Sequence, residues 1–401
     1  MAIMVDNEKN TYDEIIKVVG VGGGGGNAVN RMVDEGIKGV DYITVNTDAR
    51  ALNSSKADTK VQIGVKLTNG KGAGAKPEIG ASSAEENRDE IKAALSGSDM
   101  VFIAAGMGGG TGTGASPIIA QIAKDSGALT IAVVTKPFSF EGKRKMNFAI
   151  EGYNKLKDEV DSIIVVPNER LLEVAGNKAT LIDAFTIADA VLTRGVQGIS
   201  DIVALPGVVN VDFADVQAIM KNSGTALMGI GVMSGEGRAV QAANAAINSP
   251  LIESSLKGAT GVIVNVTGGS DMTLFEINAA SQVIQKEIAD DANFTFGAVI
   301  NENIMNSSEI QVTVIATGFD MKPAPEAPKQ TEKLNVSDFF SGKMSNNNNN
   351  ANTQNVAPKA PAAPQQQAPK VEQKTDFPIN YGNQPNNGQK SVDIDLPPFL
   401  K

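Results

Sequence analysis

The sequence predicts an α/β fold: a Rossmann-like domain with a parallel sheet, a long central helix, a smaller α+β domain with a mixed sheet, and a disordered C-terminal tail. Three observations lead to this prediction. Short apolar runs alternate with helical periodicity over the first 178 residues, which indicates a parallel sheet covered by helices on both faces. One apolar periodicity then continues for about six turns, and after residue 319 the composition changes abruptly.

The first domain is predicted to contain six strands. They are residues 14–22, 42–46, 61–64, 100–105, 129–135 and 162–167. Helical patterns follow at residues 27–33, 83–95, 115–126 and 144–160. In such a sheet, ligand-binding loops gather at the carboxyl ends of the strands.

The central helix is predicted over residues 181–203, where apolar side chains recur at helical spacing. Gly195 and Gly198 lie inside it, and each costs about 1 kcal/mol relative to alanine. Close packing is therefore expected at both positions, and the helix is expected to be buried between two sets of strands.

The second set of strands lies in the smaller domain, which has no glycine-rich phosphate loop. Its strands are predicted at residues 225–233, 261–268, 293–301 and 310–317, and its helices at 236–248 and 273–290.

The C-terminal tail is predicted to be disordered because it is too polar to bury a core. Eleven of the seventeen prolines lie beyond residue 320, and residues 346–350 are all asparagine. Apolar side chains and two acids return at residues 392–401, which favours a short docking peptide over a random apolar end.

Composition excludes several kinds of chemistry. The 401 residues include no cysteine and no histidine, which rules out thiol nucleophiles, thiolate zinc sites and catalytic imidazoles. Carboxylates, backbone amides, Lys, Arg, hydroxyls and a hard metal such as magnesium remain. The net charge of −10 argues against nucleic acid and anionic lipid as partners. No leader-like segment and no apolar run of ~20 residues is present, so a cytoplasmic protein without membrane insertion is expected.

Two glycine-rich segments are candidates for binding phosphate. Residues 108–114, G-G-G-T-G-T-G, follow a buried strand and precede a predicted helix with Pro117 near its first turn. Such a backbone can curl around a ligand and point N–H groups at it, and the helix N-terminus favours an anion. A flexible surface loop is the alternative, but the strand-to-helix context favours phosphate binding.

The other glycine-rich segment leaves a different class of protein open. Residues 20–25 satisfy G-x-G-x-x-G, and Asp48 follows the next strand, as in nicotinamide-dependent dehydrogenases. A dehydrogenase needs only this one glycine-rich segment, however, so residues 108–114 would have no function in it. The Walker and Asn-Lys-x-Asp patterns are absent, which argues against ordinary P-loop ATPases and Ras-like GTPases.

Asn210, Asp212 and Asp215 form a third candidate group. Spacing alone favours a structural role, with Asp212 as an N-cap and Asp215 at the third helical position. Alternatively, the carboxylates and Asn210 polarise a water for in-line attack on a γ-phosphate. Carboxylates repel a triphosphate, so another molecule could supply them, which would couple hydrolysis to association.

Six ordered motifs together resemble the tubulin/FtsZ GTPase family over residues 13–319, with a further likeness at the C-terminal tip. They are residues 22–30, 46–49, 72–77, 108–114, 137–142 and 210–216. The resemblance implies a flexible N-terminus (1–12), a GTP-binding domain (13–178), a central helix (179–205), a GTPase-activating domain (206–319), a linker (320–390) and a docking peptide (391–401).

The resemblance also implies a site for GTP or GDP with Mg²⁺. Its binding residues would be Gly23, Gly24, Gly25, Gly26, Asn27, Gly108, Gly109, Gly110, Thr111, Gly112, Thr113, Gly114, Thr135, Glu141, Lys145, Asn168, Phe185 and Asp189. Asn27 and Asp189 would read the guanine edge, and Phe185 would lie against the base.

The ribose and the reaction are assigned by the same resemblance. Glu141 and Asn168 would reach the ribose, with Thr135 nearby. Asn210, Asp212 and Asp215 would act on the nucleotide of the next subunit. Lys145 stands where the family usually has Arg, so a point charge replaces a bidentate group.

The implied function is a polymerising GTPase whose head-to-tail protofilaments form the cytokinetic ring at midcell. Membrane-anchoring and regulatory division proteins would bind residues 395–400, Asp-Leu-Pro-Pro-Phe-Leu. The alternatives are a tubulin-like filament for plasmid segregation or cell shape and, more remotely, a Rossmann oxidoreductase.

Overall fold

The computed structural model describes residues 14–175, 180–204, 209, 211–252, 255–300 and 308–319. The predicted N-terminal segment, linker and docking peptide lie outside these residues, as does Asn210.

Within the described residues, ten strands form one sheet in the order β3-β2-β1-β4-β5-β6-β7-β10-β8-β9. The strands are β1 (Ile16–Val21), β2 (Asp41–Asn46), β3 (Thr59–Gln62), β4 (Met100–Gly106), β5 (Leu129–Lys136), β6 (Ser162–Pro167), β7 (Gly224–Ser234), β8 (Gly261–Gly268), β9 (Asn293–Ile300) and β10 (Glu309–Thr317).

The described part of the chain also contains twelve α-helices. They are α1 (Gly22–Asp34), α2 (Ala49–Asn53), α3 (Val65–Thr68), α4 (Pro77–Glu86), α5 (Arg88–Leu95), α6 (Thr111–Asp125), α7 (Lys143–Glu159), α8 (Asn168–Ala175), α9 (Leu181–Ala204), α10 (Phe213–Met220), α11 (Arg238–Ile247) and α12 (Leu274–Gln285). None of these described helices has the length and apolar content of a membrane span.

The sheet confirms the predicted fold class. Strands β1 to β6 pair in parallel, and β8 and β9 also form a parallel pair. β10 is antiparallel to both β7 and β8. β7 joins the two sets, because its first three residues pair with β6 in parallel and the following residues pair with β10.

Several helix bounds differ from the sequence prediction, including the end of α12, which lies at Gln285 rather than at residue 290. The sequence predicts one helix over residues 83–95, but the helix breaks at Asn87, whose Oδ1 accepts a hydrogen bond from Gly64 N at 2.8 Å. α1 and α6 begin at Gly22 and Thr111, four or five residues earlier than predicted. Their glycines have poor helix propensity, which tertiary packing overrides here. Pro117 consequently lies inside α6 rather than in its first turn.

The buried central helix α9 contacts both sets of strands through its two glycines. A methyl group on Gly195 would lie 2.9 Å from Val133 Cγ1 of β5. A methyl group on Gly198 would lie 2.8 Å from Thr313 Cγ2 of β10. The predicted close packing is therefore confirmed at both positions.

Candidate nucleotide-binding site

A cleft of about 200 Å³ lies where β4, β5 and β6 end, beside the N-terminal half of α9. It is lined by Gly24, Gly106, Met107, Gly109, Thr135, Pro137, Glu141, Lys145, Asn168, Phe185, Ala188, Asp189 and Leu192. Eight of these are residues that the resemblance implies: Gly24, Gly109, Thr135, Glu141, Lys145, Asn168, Phe185 and Asp189. The expected gathering of loops at the carboxyl ends of the strands therefore occurs.

Two helix N-termini meet beside this cleft. Gly22 begins α1 with φ +71°, and a methyl group on it would lie 2.8 Å from Gly112 N in the first turn of α6. Neither helix has a side-chain N-cap or an acidic residue in its first turn. Their first N–H groups and helix dipoles together suit an anionic group such as a phosphate.

The first two turns of α1 carry the other residues implied to bind there. Gly23 is exposed, and a methyl group on it would meet nothing within 4 Å. Gly25 and Gly26 are buried, and Gly25 packs against Ala104 O of β4. Asn27 is exposed on α1 and does not line the cleft.

Residues 108–114 do not form one uniform loop. Gly108 has φ +97° and donates its N–H to Thr113 Oγ1 at 2.8 Å. Gly109 is the half-exposed residue of the segment and faces open space. Thr111 is buried in the first turn of α6, and its hydroxyl lies 2.7 Å from Thr47 Oγ1. Part of the segment is thus a structural support for the part that lines the cleft.

Close packing explains the remaining glycines of the segment. A methyl group on Gly110 would lie 2.9 Å from Lys76 N, and one on Gly112 would lie 2.8 Å from Gly106 O. Gly114 packs directly on the backbone of α4 at Pro77.

Two alanine substitutions should separate binding from packing in this segment. We expect Gly114→Ala to lower the free energy of unfolding by about 1–3 kcal/mol, because its methyl group would overlap the α4 backbone. Gly109→Ala should leave unfolding within about 0.5 kcal/mol of the unsubstituted protein but weaken nucleotide binding. Denaturant unfolding and nucleotide titration of both variants measure this, and equal stabilities would contradict the assignment.

Helix α9 contributes an aromatic ring and a carboxylate to the cleft, those of Phe185 and Asp189. The Phe185 ring meets Phe138 edge-to-face at 5.3 Å, and Phe138 stacks on Phe140 at 5.0 Å. Asp189 lies one turn after Phe185. Burial raises the pKa of its carboxyl to about 7, although the positive charge of Arg31 lowers it in part. A flat base with N–H donors on its edge fits this arrangement.

Two hydrogen-bonding side chains also line the cleft, those of Glu141 after β5 and Asn168 after β6. Glu141 accepts hydrogen bonds from Phe138 N at 3.0 Å and from Lys145 Nζ at 2.8 Å. Asn168 is only 4% exposed, and its Oδ1 has no hydrogen-bond partner among the described residues. A buried acceptor left unpaired is costly, so this atom suits a ligand hydroxyl.

The acids proposed for catalysis lie elsewhere. Asp212 Oδ1 accepts a hydrogen bond from Asp215 N at 2.8 Å and caps α10, which confirms the capping prediction. Both side chains are exposed, and neither lines the cleft. Both acids follow α9 in the sequence, and that helix ends at Ala204, which is fifteen residues and about 22 Å along the helix from Asp189.

Sequence reasoning missed several lining residues. Ala188 and Leu192 continue the i, i+3, i+4, i+7 face that begins at Phe185, so helical spacing could have revealed them. Met107 gives no comparable signal, because its place depends on the turn at Gly108.

Comparison with known proteins agrees with this site. Residues 15–176 match the Tubulin/FtsZ family GTPase domain, and residues 224–320 match the FtsZ family C-terminal domain. A solved FtsZ dimer from M. jannaschii is 44% identical, with a TM-score of 0.75 over 78% of this chain and 90% of that one. A variant of M. jannaschii FtsZ is 45% identical, with a TM-score of 0.74 over 76% and 91%.

A more distant likeness concerns the fold alone. CetZ2 from Haloferax volcanii, solved as a GTPγS-bound protofilament, is 21% identical, with a TM-score of 0.64 over 75% of this chain and 92% of that one. The two domain matches and the identity to solved FtsZ chains together show that this chain belongs to the tubulin/FtsZ family, within its FtsZ branch, and is a guanine-nucleotide-binding GTPase.

Proposed function

We propose that this GTPase polymerises head to tail, and that each nucleotide is hydrolysed with help from the neighbouring subunit. One observation carries the proposal: Asp212 and Asp215 are exposed at the start of α10 and do not line the cleft. The relatives solved as a dimer and as a protofilament support assembly of this kind.

In the proposed complex, phosphates lie at the N-termini of α1 and α6, around residues 23–27 and 108–114. Asp189 and Asn27 read the guanine edge, and Phe185 contacts the base. Glu141 and Asn168 bind the ribose near Thr135, while Lys145 adds positive charge. The unpaired Asn168 Oδ1 and the uncapped helices support these roles.

We also propose that Mg²⁺ accompanies the nucleotide. The described residues contain no group of three or more acidic, His or Cys side chains that could hold a metal. Mg²⁺ commonly keeps waters and binds substrate phosphates with one or two protein ligands, so a nucleotide-borne ion fits this site. The ion would neutralise phosphate charge during hydrolysis.

The hydrolytic step would take place between two subunits. Asp212 and Asp215, with Asn210, would orient a water for in-line attack on the γ-phosphate of the adjacent subunit. Because these carboxylates are separated from the cleft within one subunit, they do not repel the bound triphosphate before assembly.

Exposed apolar side chains support two assembly surfaces. Leu274 and Phe275, at the start of α12, are 78% and 81% exposed. Both residues follow the end of β8. Val209, three residues before Asp212, pairs with Ala298 near the same end of the adjacent parallel strand β9. The first turn of α9 near the cleft is apolar too, and Ile182 is 76% exposed. Burying such patches would stabilise association.

The proposed cellular role is the cytokinetic ring at midcell, with residues 395–400 binding anchoring and regulatory division proteins. The match to the FtsZ C-terminal domain favours this role over a plasmid-segregation or cell-shape filament. The predicted domain boundaries, including a GTPase-activating domain at 206–319, belong to the same proposal.

Turnover measured against protein concentration tests the shared active site. Phosphate release per molecule should rise steeply with concentration and then plateau as GTP-dependent, sedimentable polymer forms in Mg²⁺. GDP should give no comparable pellet. A rate per molecule that stays constant from dilute monomer to polymer would contradict hydrolysis in trans.

A further inference from the structure

A second cavity of about 200 Å³ lies between α4, α6 and α7, and it shares no lining residue with the nucleotide cleft. Its apolar lining includes Ala81, Pro117, Ile118 and Phe148. We propose that this cavity, the α6 groove, binds a small organic cation: an ammonium or guanidinium group on an apolar body.

Two carboxylates supply the charge complementarity. Glu78 on α4 and Glu151 on α7 line the groove from different helices. Neither has a hydrogen bond or ion pair with any described residue, whereas Glu85 of α4 pairs with Arg88 at 3.3 Å. The Glu78 and Glu151 side chains are both exposed, so a cation at the opening of the groove would meet two carboxylates that no described cation neutralises.

The apolar lining explains why the cation should carry an apolar body. Ile118 and Phe148 offer hydrophobic contact to a ligand held by the two carboxylates. The Phe148 ring already has a cation of the protein itself over it, because the Arg144 guanidinium lies 5.4 Å from its centroid, so the ring is expected to give the ligand apolar contact. A volume of about 200 Å³ suits a ligand with one aromatic ring or a short alkyl chain.

Lys155 is the third charged group of the groove, one turn beyond Glu151 on α7. It forms no ion pair with a described residue, and the three side chains together carry one net negative charge. Lys155 itself should oppose a cation, so its removal should strengthen binding.

The groove also adjoins the support of the nucleotide site. Thr113 and Gly114 line it, and Thr113 Oγ1 accepts the hydrogen bond from Gly108 N. Gly152 of α7 packs against the Thr113 methyl group. The ligand would thus contact the first turn of α6 without entering the nucleotide cleft.

Titration with phenethylammonium tests this proposal in the full chain saturated with GDP, which keeps the probe out of the nucleotide cleft. The Ile118 methyl resonance should shift saturably. Phenethyl alcohol, which has the same apolar body without the charge, should bind at least fivefold more weakly. An unmoved Ile118 resonance, or equal affinity for both probes, would overturn the proposal.

Substitutions locate the charge. Glu78→Gln combined with Glu151→Gln should raise the dissociation constant at least fivefold, and Lys155→Gln should lower it. Glu85→Gln combined with Glu159→Gln is the matched control, because it removes one carboxylate from each of the same helices outside the groove. Equal losses in the two double variants would overturn the assignment of the groove.

Discussion

Replacing Asp212 with asparagine should lower GTP turnover by about 10²-fold or more while leaving nucleotide binding and the fold intact. Asparagine is as good an N-cap as aspartate, so its side-chain oxygen can still accept the hydrogen bond from Asp215 N. The substitution therefore removes the negative charge without uncapping α10. Phosphate release, nucleotide occupancy and thermal unfolding measure the three properties separately.

Asp212→Ala is the informative comparison, because it removes the charge and the cap together. Losing the cap should cost about 1 kcal/mol of stability, which Asp212→Asn avoids. If both variants lose turnover equally but only the alanine variant loses stability, the carboxylate has a chemical role in addition to its structural one. Full turnover in the asparagine variant would leave Asp212 as a cap only.

Mixing subunits tests whether the carboxylate acts in trans. A variant unable to bind nucleotide but retaining Asp212 should restore turnover to co-assembled Asp212→Asn subunits, because it presents an intact acid to its neighbour's nucleotide. No restoration in a mixture that demonstrably co-sediments would place the chemistry within one subunit.

The fold could be predicted from the sequence because its signals are local. β4 is continuously apolar, and α9 keeps its apolar spacing from Leu181 to Ala204, so their types and approximate bounds follow from periodicity. The start of α6 could not be predicted this way. Thr111 and Gly112 are helical because the turn packs against Gly106 and α4, a tertiary effect that local propensity opposes.

The site was predictable only in part for the same reason. Gly109 and Gly114 look equivalent in the sequence, yet one faces open space and the other packs against Pro77. The unpaired state of Asn168 Oδ1 has no sequence signal either, because it depends on every neighbour of the side chain. Motifs thus identify the segments of a site, whereas packing decides which atoms of each segment face the ligand.

Nucleotide affinity should depend on pH through Asp189. Burial raises the pKa of this carboxyl to about 7 in the nucleotide-free protein. In the proposed complex the ionised carboxylate accepts N–H groups of guanine, so only that form binds well. The apparent dissociation constant should therefore rise about tenfold between pH 8 and pH 6.

Asp189→Asn should weaken binding at pH 8 and flatten this profile. The nucleotide phosphates also titrate near this range, but they do so equally with both proteins, so the difference between the two profiles isolates Asp189. Asp201→Asn should be measured over the same pH range, because burial raises the pKa of Asp201 to about 7 as well. Profiles that run parallel for the two proteins would remove Asp189 from base recognition.

The stability of the nucleotide-free protein should change with the opposite sign. A carboxyl whose folded pKa is raised stabilises the fold below that pKa, and this contribution is lost as pH rises through about 7. Acidification from pH 8 to 6 should thus raise the free energy of unfolding through Asp189 while it weakens nucleotide binding. If acid simply destabilised the protein, the free energy of unfolding and the nucleotide affinity would both fall on acidification. Opposite pH dependences that both diminish in Asp189→Asn therefore assign both effects to this one carboxyl.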